Sequence, residues 1–169
     1  MIETSRLILR SWALADIDRM VEMLGNYNVA KYTGMPFPFT RKDAEEYITN
    51  PKGRILFAIT LKETGKVVGS CGMELCKNNV CDYGIWLDEK YHGKGLGTET
   101  LRALTKYCFD VLKADKICSS FISGNTASWK MLKKVGHKLG EAVEWTIRAR
   151  SEQVVMIKTV LKREDFVDG

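Results

Sequence analysis

The sequence lacks features that would place it in several large classes of protein. No uninterrupted apolar run approaches the length of a membrane span. The first ten residues have no basic region followed by an apolar stretch, so we expect no signal peptide. The five cysteines are odd in number and form no Cys-x-x-Cys pair, which argues against a disulfide framework and a structural zinc site. We therefore expect reduced thiols, no bound metal, no membrane contact and a cytoplasmic location.

A strong excess of one charge is also absent. Lys and Arg total 26 against 21 Asp and Glu, a net charge of +5 that suits an anionic small molecule as well as nucleic acid. The basic residues are dispersed and no stacking aromatics alternate with them, so we expect no nucleic-acid partner. The length of 169 residues, with 45% hydrophobic and 28% charged residues, predicts one domain spanning residues 1–169.

Hydrophobic periodicity predicts an α+β fold. Alternating patterns indicate about seven strands, at 6–12, 54–61, 67–75, 80–87, 116–122, 138–147 and 154–161. Helical spacing indicates helices at 14–24, 40–48 (with Thr40 as N-cap), 98–113 and 125–135. Short turns between the second, third and fourth strands imply an antiparallel meander, whereas the later strand–helix–strand order requires a parallel pair. The sum is a mixed, mostly antiparallel sheet with helices on both faces.

A glycine-rich turn, His92-Gly93-Lys94-Gly95-Leu96-Gly97-Thr98, lies between a predicted strand and a predicted helix. Unpaired N–H groups at the positive end of a helix dipole, with glycines that permit close approach, suit a phosphate group. The spacing fits neither the P-loop nor the dinucleotide-binding fingerprint of parallel α/β folds. The alternative is a plain glycine-rich turn with no ligand.

Three segments carry a family resemblance. Residues 86–99 resemble the acetyl-CoA pyrophosphate loop of the GNAT N-acetyltransferases, whose pattern Arg/Gln-x-x-Gly-x-Gly/Ala falls on His92, Gly95 and Gly97. Residues 125–137 resemble the family's Asn-x-x-Ala/Ser…Gly-Phe motif, with His137 at the usual Phe position. Residues 3–10 resemble the start of the branch that includes bacterial ribosomal-protein N-terminal acetyltransferases. The resemblance thus spans nearly the whole chain.

The resemblance implies acetyl-CoA as acyl donor. In such enzymes the loop amides hold the pyrophosphate, the pantetheine arm pairs with the central strand, and that strand splays from its neighbour. The implied cofactor-binding residues are Ile85, Trp86, Leu87, His92, Gly93, Lys94, Gly95, Leu96, Gly97, Thr98, Asn125 and Ser128. The lysines at 94, 130, 133 and 134 either add charge contacts to the phosphates or form a solvated helix face.

The implied chemistry is direct attack of an amine on the thioester. Many family members protonate the leaving thiolate with a Tyr that falls here on Leu132, so Ser128 is the predicted substitute, with Tyr91 and Tyr107 as weaker alternatives and an ordinary helix serine as the plain interpretation. Strand parity places Glu74 and Asp82 on the face away from the core. Both are predicted catalytic carboxylates, with Glu74 favoured as general base, and either could equally be a surface charge.

The resemblance leaves the acceptor open. Its branch suggests a protein N-terminal amine, while polyamines, aminoglycosides and amino acids are alternatives, as is a non-catalytic acyl-CoA-binding module. The acceptor site is expected at the 35–39 loop, the first helices and the tail near Trp145; the alternative for the loop is that its Phe side chains fill the core. A homodimer is compatible with this prediction.

Overall fold

A computed structural model describes all residues 1–169 as one sheet of eight strands with five α-helices. The strands are β1 (Ile2–Glu3), β2 (Leu7–Arg10), β3 (Ile55–Leu61), β4 (Val67–Leu75), β5 (Val80–Leu87), β6 (Lys116–Ile122), β7 (Lys138–Ile147) and β8 (Glu152–Lys162). The helices are α1 (Ile17–Leu24), α2 (Tyr27–Ala30), α3 (Arg41–Thr49), α4 (Leu96–Lys106) and α5 (Thr126–Val135). None of these helices is long and apolar enough to cross a membrane.

The sheet runs in the order β1-β2-β3-β4-β5-β6-β8-β7. Every neighbouring pair is antiparallel except β5 and β6, which are parallel because α4 carries the chain back across the sheet. The predicted α+β class and mostly antiparallel sheet are confirmed. The sheet has one strand more than predicted, since the two residues of β1 are too few to show an alternating pattern.

The helices differ more from prediction than the strands do. The first predicted helix opens as a 3₁₀ turn over Leu14–Asp16, and α2 is a single turn that leaves no helical period to detect. Helix α4 begins at Leu96 and gives way after Lys106 to a π-helical turn, Tyr107–Val111. The Thr40 N-cap is confirmed, because its side chain accepts the amide of Asp43 while the Asp43 carboxylate accepts the Thr40 amide.

The two faces of the sheet are covered by different helices. Helices α4 and α5 cover one face over a core that includes Tyr83, Leu101, Leu104 and Leu132. Helices α1 to α3 cover the other face around a second core that includes Met20. On that face the 35–39 loop divides: Phe39 is buried in the core, whereas Phe37 is 39% exposed and lies against Tyr27.

A buried polar network lies between β5 and the helices. His137 is 3% exposed and joins the Tyr83 hydroxyl through Nε2 (2.7 Å) and the Thr159 hydroxyl through Nδ1 (2.9 Å). Tyr83 also contacts the Thr105 hydroxyl at 3.1 Å, and Thr159 also donates to the Ser119 carbonyl at 3.3 Å. Burial lowers the pKa of His137 to about 4, so the imidazole is held neutral at pH 7.

Candidate active site

The central strands separate part of the way along their length. β5 and β6 pair only at Val80–Lys116, Cys81–Ile117 and Asp82–Cys118, and then diverge. The Ser119 hydroxyl donates to the Tyr83 carbonyl at 2.9 Å, where the split opens. The predicted splay is therefore present, and residues 84–87 have no strand partner on this edge.

The glycine turn follows β5 directly and opens α4. Gly95 is the N-cap residue in the left-handed region at φ +77°, a conformation that favours glycine. Gly97 is required for a different reason, since a Cβ there would lie 2.4 Å from the Met131 sulfur of α5. Together they leave the first-turn amides of α4 free at the positive end of the helix dipole.

The N-terminal segment stabilises the glycine turn through hydrogen bonds and an ion pair. The Arg6 guanidinium donates to the Lys94 carbonyl at 2.9 Å and pairs with the Glu99 carboxylate at 2.7 Å. Glu99 also accepts the Thr4 hydroxyl (2.6 Å), the Ser5 hydroxyl (3.0 Å) and the Arg6 amide (2.8 Å). Burial opposes ionisation of this carboxyl, but the hydrogen bonds outweigh burial and lower the pKa of Glu99 to about 2. Two segments recognised separately in the sequence are thus one structural unit.

The His92 side chain connects the glycine turn to the end of β5. Its Nε2 lies 2.9 Å from the Leu87 carbonyl, a contact that nothing in the sequence pattern indicated. The neighbouring Tyr91 ring has the Lys94 ammonium 5.0 Å from its centroid, so the Lys94 side chain folds over Tyr91. His92 therefore has a structural partner, as does His137.

A first cavity of about 310 Å³ surrounds the turn and is called the loop cavity here. It is lined by Asn28, Val29, Tyr32, Thr33, Ile85, Trp86, Leu87, Tyr91, His92, Gly93, Gly95, Leu96, Gly97, Thr98, Asn125, Ala127, Ser128, Lys130, Met131 and Lys134. Every predicted cofactor-binding residue except Lys94 is among them. Of the other lysines considered, 130 and 134 line the cavity and 133 does not.

A second cavity, of about 190 Å³, opens on the other side of the split and is called the sheet cavity. Its lining includes Gly34, Met35, Tyr47, Arg54, Ser70, Gly72, Gly84, Ser120, Phe121 and Leu132. The two cavities meet at residues that line both, namely Tyr32, Thr33, Ile85, Trp86, Asn125, Ser128 and Met131. This shared set, the junction, is where two molecules bound in the two cavities would touch.

The junction contains one predicted catalytic residue. Ser128 lies there, and its hydroxyl forms no hydrogen bond within the protein, while its amide donates to the Asn125 side-chain oxygen at 3.2 Å. Leu132, at the family's Tyr position, is 2% exposed and supplies no acid. Tyr91 lines the loop cavity, whereas Tyr107 lines a separate depression on the outer side of α4. Tyr32, which sequence reasoning missed, adds another hydroxyl at the junction, where the Thr33 hydroxyl is already bonded to the Ala30 carbonyl at 2.8 Å.

The two predicted carboxylates lie away from the junction. Glu74 and Asp82 face each other across β4 and β5, and neither lines either cavity. Asp82 is three residues before Ile85, roughly 10 Å along the strand. Burial, assisted by repulsion from Glu74, raises the pKa of Asp82 despite the opposing charge of Arg54.

One wall of the sheet cavity is held by a residue from far along the chain. Arg150, in the turn between β7 and β8, has only 7% of its side chain exposed and pairs with Glu152 at 2.9 Å. Its guanidinium donates to the carbonyls of Met35 (2.7 Å), Thr33 (3.0 Å), Ala30 (3.2 Å) and Lys31 (3.3 Å). The segment 30–35 is thereby fixed beside the junction. Trp145, predicted near the acceptor, is 58% exposed and lines neither cavity.

Comparison with known proteins places this geometry in a family. Residues 6–138 match the family model described as "Acetyltransferase (GNAT) domain". The chain is 29% identical, over 95% of its length and 96% of the relative's, to the uncharacterised N-acetyltransferase p20 of Bacillus licheniformis. Since the family model covers most of the chain, the protein belongs to the GNAT acetyltransferases. It is an N-acetyltransferase of this type, and acetyl-CoA is its acyl donor.

Solved structures share the fold at low identity. A GNAT acetyltransferase from Bacillus anthracis superposes with a TM-score of 0.86 at 22% identity, covering 96% of this chain and 98% of that one. A Vibrio cholerae protein assigned as a ribosomal-protein-serine acetyltransferase gives 0.79 at 19% identity, with 93% and 95% covered. A V. cholerae spermidine N-acetyltransferase, solved with CoA and spermine, gives 0.79 at 17% identity, with 96% and 98% covered. Proteins of this fold therefore act on unlike amines.

Proposed function

We propose that the protein transfers the acetyl group of acetyl-CoA directly to a primary amine, with both substrates bound together. The observation that carries the proposal is the meeting of two cavities at the split between β5 and β6. The loop cavity takes the donor and the sheet cavity takes the acceptor. Holding both reactants in contact supplies several kcal/mol of the barrier without a covalent intermediate on the enzyme.

The donor is held mainly by backbone. The pyrophosphate lies against the amides of residues 92–98, where each contact with a helix N-terminus contributes about 0.3–1 kcal/mol. The unpaired edge at residues 85–87 takes the pantetheine arm as a strand would. Asn125 already uses its side-chain oxygen to cap α5, so its amide nitrogen is the group left to meet the arm. Lys130 and Lys134 supply positive charge at the cavity wall.

The reaction joins the amine nitrogen to the acetyl carbon and breaks the carbon–sulfur bond. The Leu87 amide polarises the thioester carbonyl. After the attack the nitrogen of the tetrahedral intermediate is positively charged and loses its proton to a base, which leaves the neutral amide once the thiolate departs. Ser128 donates a proton to the leaving thiolate and regains one from water. Glu74 and Asp82 remain the proposed bases, acting through water because neither lines a cavity, and the raised pKa of Asp82 supports its share in that role.

The acceptor is an amine whose identity the comparisons leave open. The N-terminal motif supports a protein N-terminal amine, as in ribosomal-protein acetyltransferases, and small amines are the alternative. The alternative of a non-catalytic acyl-CoA-binding module rests on Leu132 at the usual acid position, and the match to the acetyltransferase family opposes it. The predicted single-domain organisation, cytoplasmic location and homodimer remain predictions.

Calorimetry with acetyl-CoA, followed by CoA release and mass-shift assays on peptides and small amines, tests the proposal. We expect binding in the micromolar range and CoA release with at least one amine. No binding at high micromolar acetyl-CoA would overturn the donor assignment. Binding without turnover on any amine would favour the non-catalytic module.

Variants of the junction hydroxyls test the acid. Ser128→Ala should lower kcat at least about tenfold while the acetyl-CoA affinity changes less than about twofold. Thr126→Ala, at an exposed position two residues before Ser128 on α5, is the matched control and should behave as wild type. Full turnover in Ser128→Ala, together with a large loss in Tyr32→Phe, would move the acid to Tyr32.

A further inference from the structure

The sheet cavity has an uneven distribution of charge. Among the residues that line it, Arg54 is the only one with a charged side chain. Glu74 and Asp82 lie on the same face of the sheet but outside the lining. The lining therefore carries one fixed positive charge and no fixed negative charge, and the Asp82 carboxylate outside the lining is close enough to interact electrostatically with Arg54.

Arg54 has no partner within the protein. Its guanidinium forms no ion pair and no hydrogen bond, although it comes directly before β3 and a carboxylate lies across the sheet from it on β4. One terminal nitrogen instead lies 3.6 Å from the position that a Cβ on Gly72 would take. The charge is thus held over the sheet at the cavity rather than against Glu74. An arginine left unpaired at a cavity is a ready bidentate partner for a carboxylate.

Gly84 leaves open space in the sheet cavity near this guanidinium. Gly72 and Gly84 face each other in the β4–β5 register. A Cβ on Gly84 would meet nothing within 4 Å, so the space above Gly84 is open to a ligand, whereas a Cβ on Gly72 would lie 2.6 Å from the Leu56 side chain. Gly84 is opposite Gly72, near which the guanidinium lies, and it adjoins Ile85 of the junction, so the open space at Gly84 lies between Arg54 and the junction.

We propose that the acceptor carries a carboxylate as well as its amine, and that Arg54 binds that carboxylate while the amine reaches the junction. One strand spacing and one residue separate Gly72 from Ile85, roughly 6–8 Å. Two residues of extended chain span about 7 Å, so a dipeptide or an ω-amino acid of that length fits, and an α-amino acid is too short. A polyamine would place a second ammonium against Arg54, which is unfavourable in a partly enclosed site. This inference rests on the proposed function and narrows its acceptor.

Matched acceptor pairs test the inference. CoA release is measured at saturating acetyl-CoA with alanyl-alanine and its C-terminal amide, with 5-aminopentanoate and pentylamine, and with spermidine. We expect kcat/KM to be at least about tenfold higher for each carboxylate than for its uncharged partner. Arg54→Ala should reduce that ratio to about one and leave the acetyl-CoA affinity unchanged, and Arg54→Lys should restore part of it. Arg148→Ala, at an exposed arginine outside both cavities, is the control.

Three outcomes would overturn the inference: equal rates within each pair, a carboxylate preference that persists in Arg54→Ala, or spermidine as the best acceptor. If no amine is turned over, calorimetric titration of alanyl-alanine and its amide into the CoA-bound protein separates the two proposals. Binding of the dipeptide that Arg54→Ala abolishes would support the carboxylate site while the catalytic proposal fails. Equal binding of the dipeptide and its amide would overturn the carboxylate site as well.

Discussion

The two cavities that meet at the junction are built in different ways. The loop cavity is made largely from one continuous stretch of backbone, residues 85–98, completed by the start of α5. The sheet cavity is made from the segment after α2 together with side chains of α3, α4, α5 and the strands. Its wall depends on Arg150, more than a hundred residues away from the carbonyls it binds. Backbone suits a donor whose phosphates are the same in every reaction, whereas side chains suit an acceptor that differs between enzymes.

The largest expected effect is at the left-handed cap of the loop cavity. Gly95→Val should weaken acetyl-CoA binding at least about 100-fold, because a β-branched residue at φ +77° costs about 1–2 kcal/mol and displaces the first-turn amides. Calorimetry measures the affinity. Gly53→Val, at φ +83° in an open turn with nothing within 4 Å, carries the same strain without touching the site and should bind normally. Unchanged affinity in Gly95→Val would remove the loop assignment.

Low pH should destabilise both cavities together, because the His137 network contacts Tyr83 of β5 and residues of this strand line both cavities. The folded pKa of about 4 is below the ordinary 6.5, so the unfolded chain binds the proton more readily than the folded protein does. The contribution of His137 to the free energy of unfolding should be fully present above pH 6.5. It should fall by about 3 kcal/mol as the pH drops to 4. Denaturant melts at several pH values measure this slope.

The control for the pH effect is His137→Phe, which places the family's usual residue there. Tyr83 and Thr159 each keep one other hydrogen-bond partner, so the variant should fold. Its stability should lose the His137 contribution to the slope between pH 4 and 6.5. A slope equal to that of the wild type would show that another group causes it.

Loss of Arg150 should impair acceptor binding in the sheet cavity more than donor binding in the loop cavity. Arg150→Ala leaves four carbonyls without their shared donor and should raise the acceptor KM about 10- to 100-fold, with a smaller change in acetyl-CoA affinity. Steady-state kinetics with varied acceptor give the split between KM and kcat. Arg150→Lys should recover part of the loss. Equal losses for donor and acceptor would mean that the segment 30–35 supports the whole site and not one cavity.

The smallest change in acetyl-CoA affinity is expected from Arg6, whose guanidinium bonds the glycine turn. Arg6 is half exposed, so Arg6→Ala should weaken acetyl-CoA binding only about three- to tenfold by releasing the Lys94 carbonyl. Lys62→Ala removes an exposed ion pair with Glu3 that does not touch the loop, and it should leave the affinity unchanged. An equal effect in both variants would assign the result to the edge of the sheet rather than to the loop.

The contrast between the cavities also explains what the sequence could predict. The bounds of β4, β5, β6 and β7 match the alternating pattern, because strand alternation is a local property. The glycine turn was predictable for the same reason, since its ligand-facing groups are consecutive amides. The hydrogen bond from Arg6 to the turn was not predictable, because the two residues are far apart in the sequence. The contact of His92 with the Leu87 carbonyl was not predictable either, because it depends on the orientation of the imidazole ring.

The acceptor side was predicted less well. Parity placed Glu74 and Asp82 on the correct face, but it says nothing of distance along the strand, and both lie outside the cavities. Arg54, Tyr32 and Arg150 carry no local pattern that marks them. Both alternatives for the 35–39 loop describe part of it, because Met35 lines the sheet cavity whereas Phe39 fills the core.

The split between β5 and β6 has a consequence for solubility. A strand edge without a partner normally invites the strand of another molecule, and proteins protect such edges with charges, bulges or cover. Here the free edge of residues 84–87 is internal, with the segment 28–33 on one side and the start of α5 on the other. This enclosed position keeps backbone of β5 available to a ligand while covering it against the strand of another molecule.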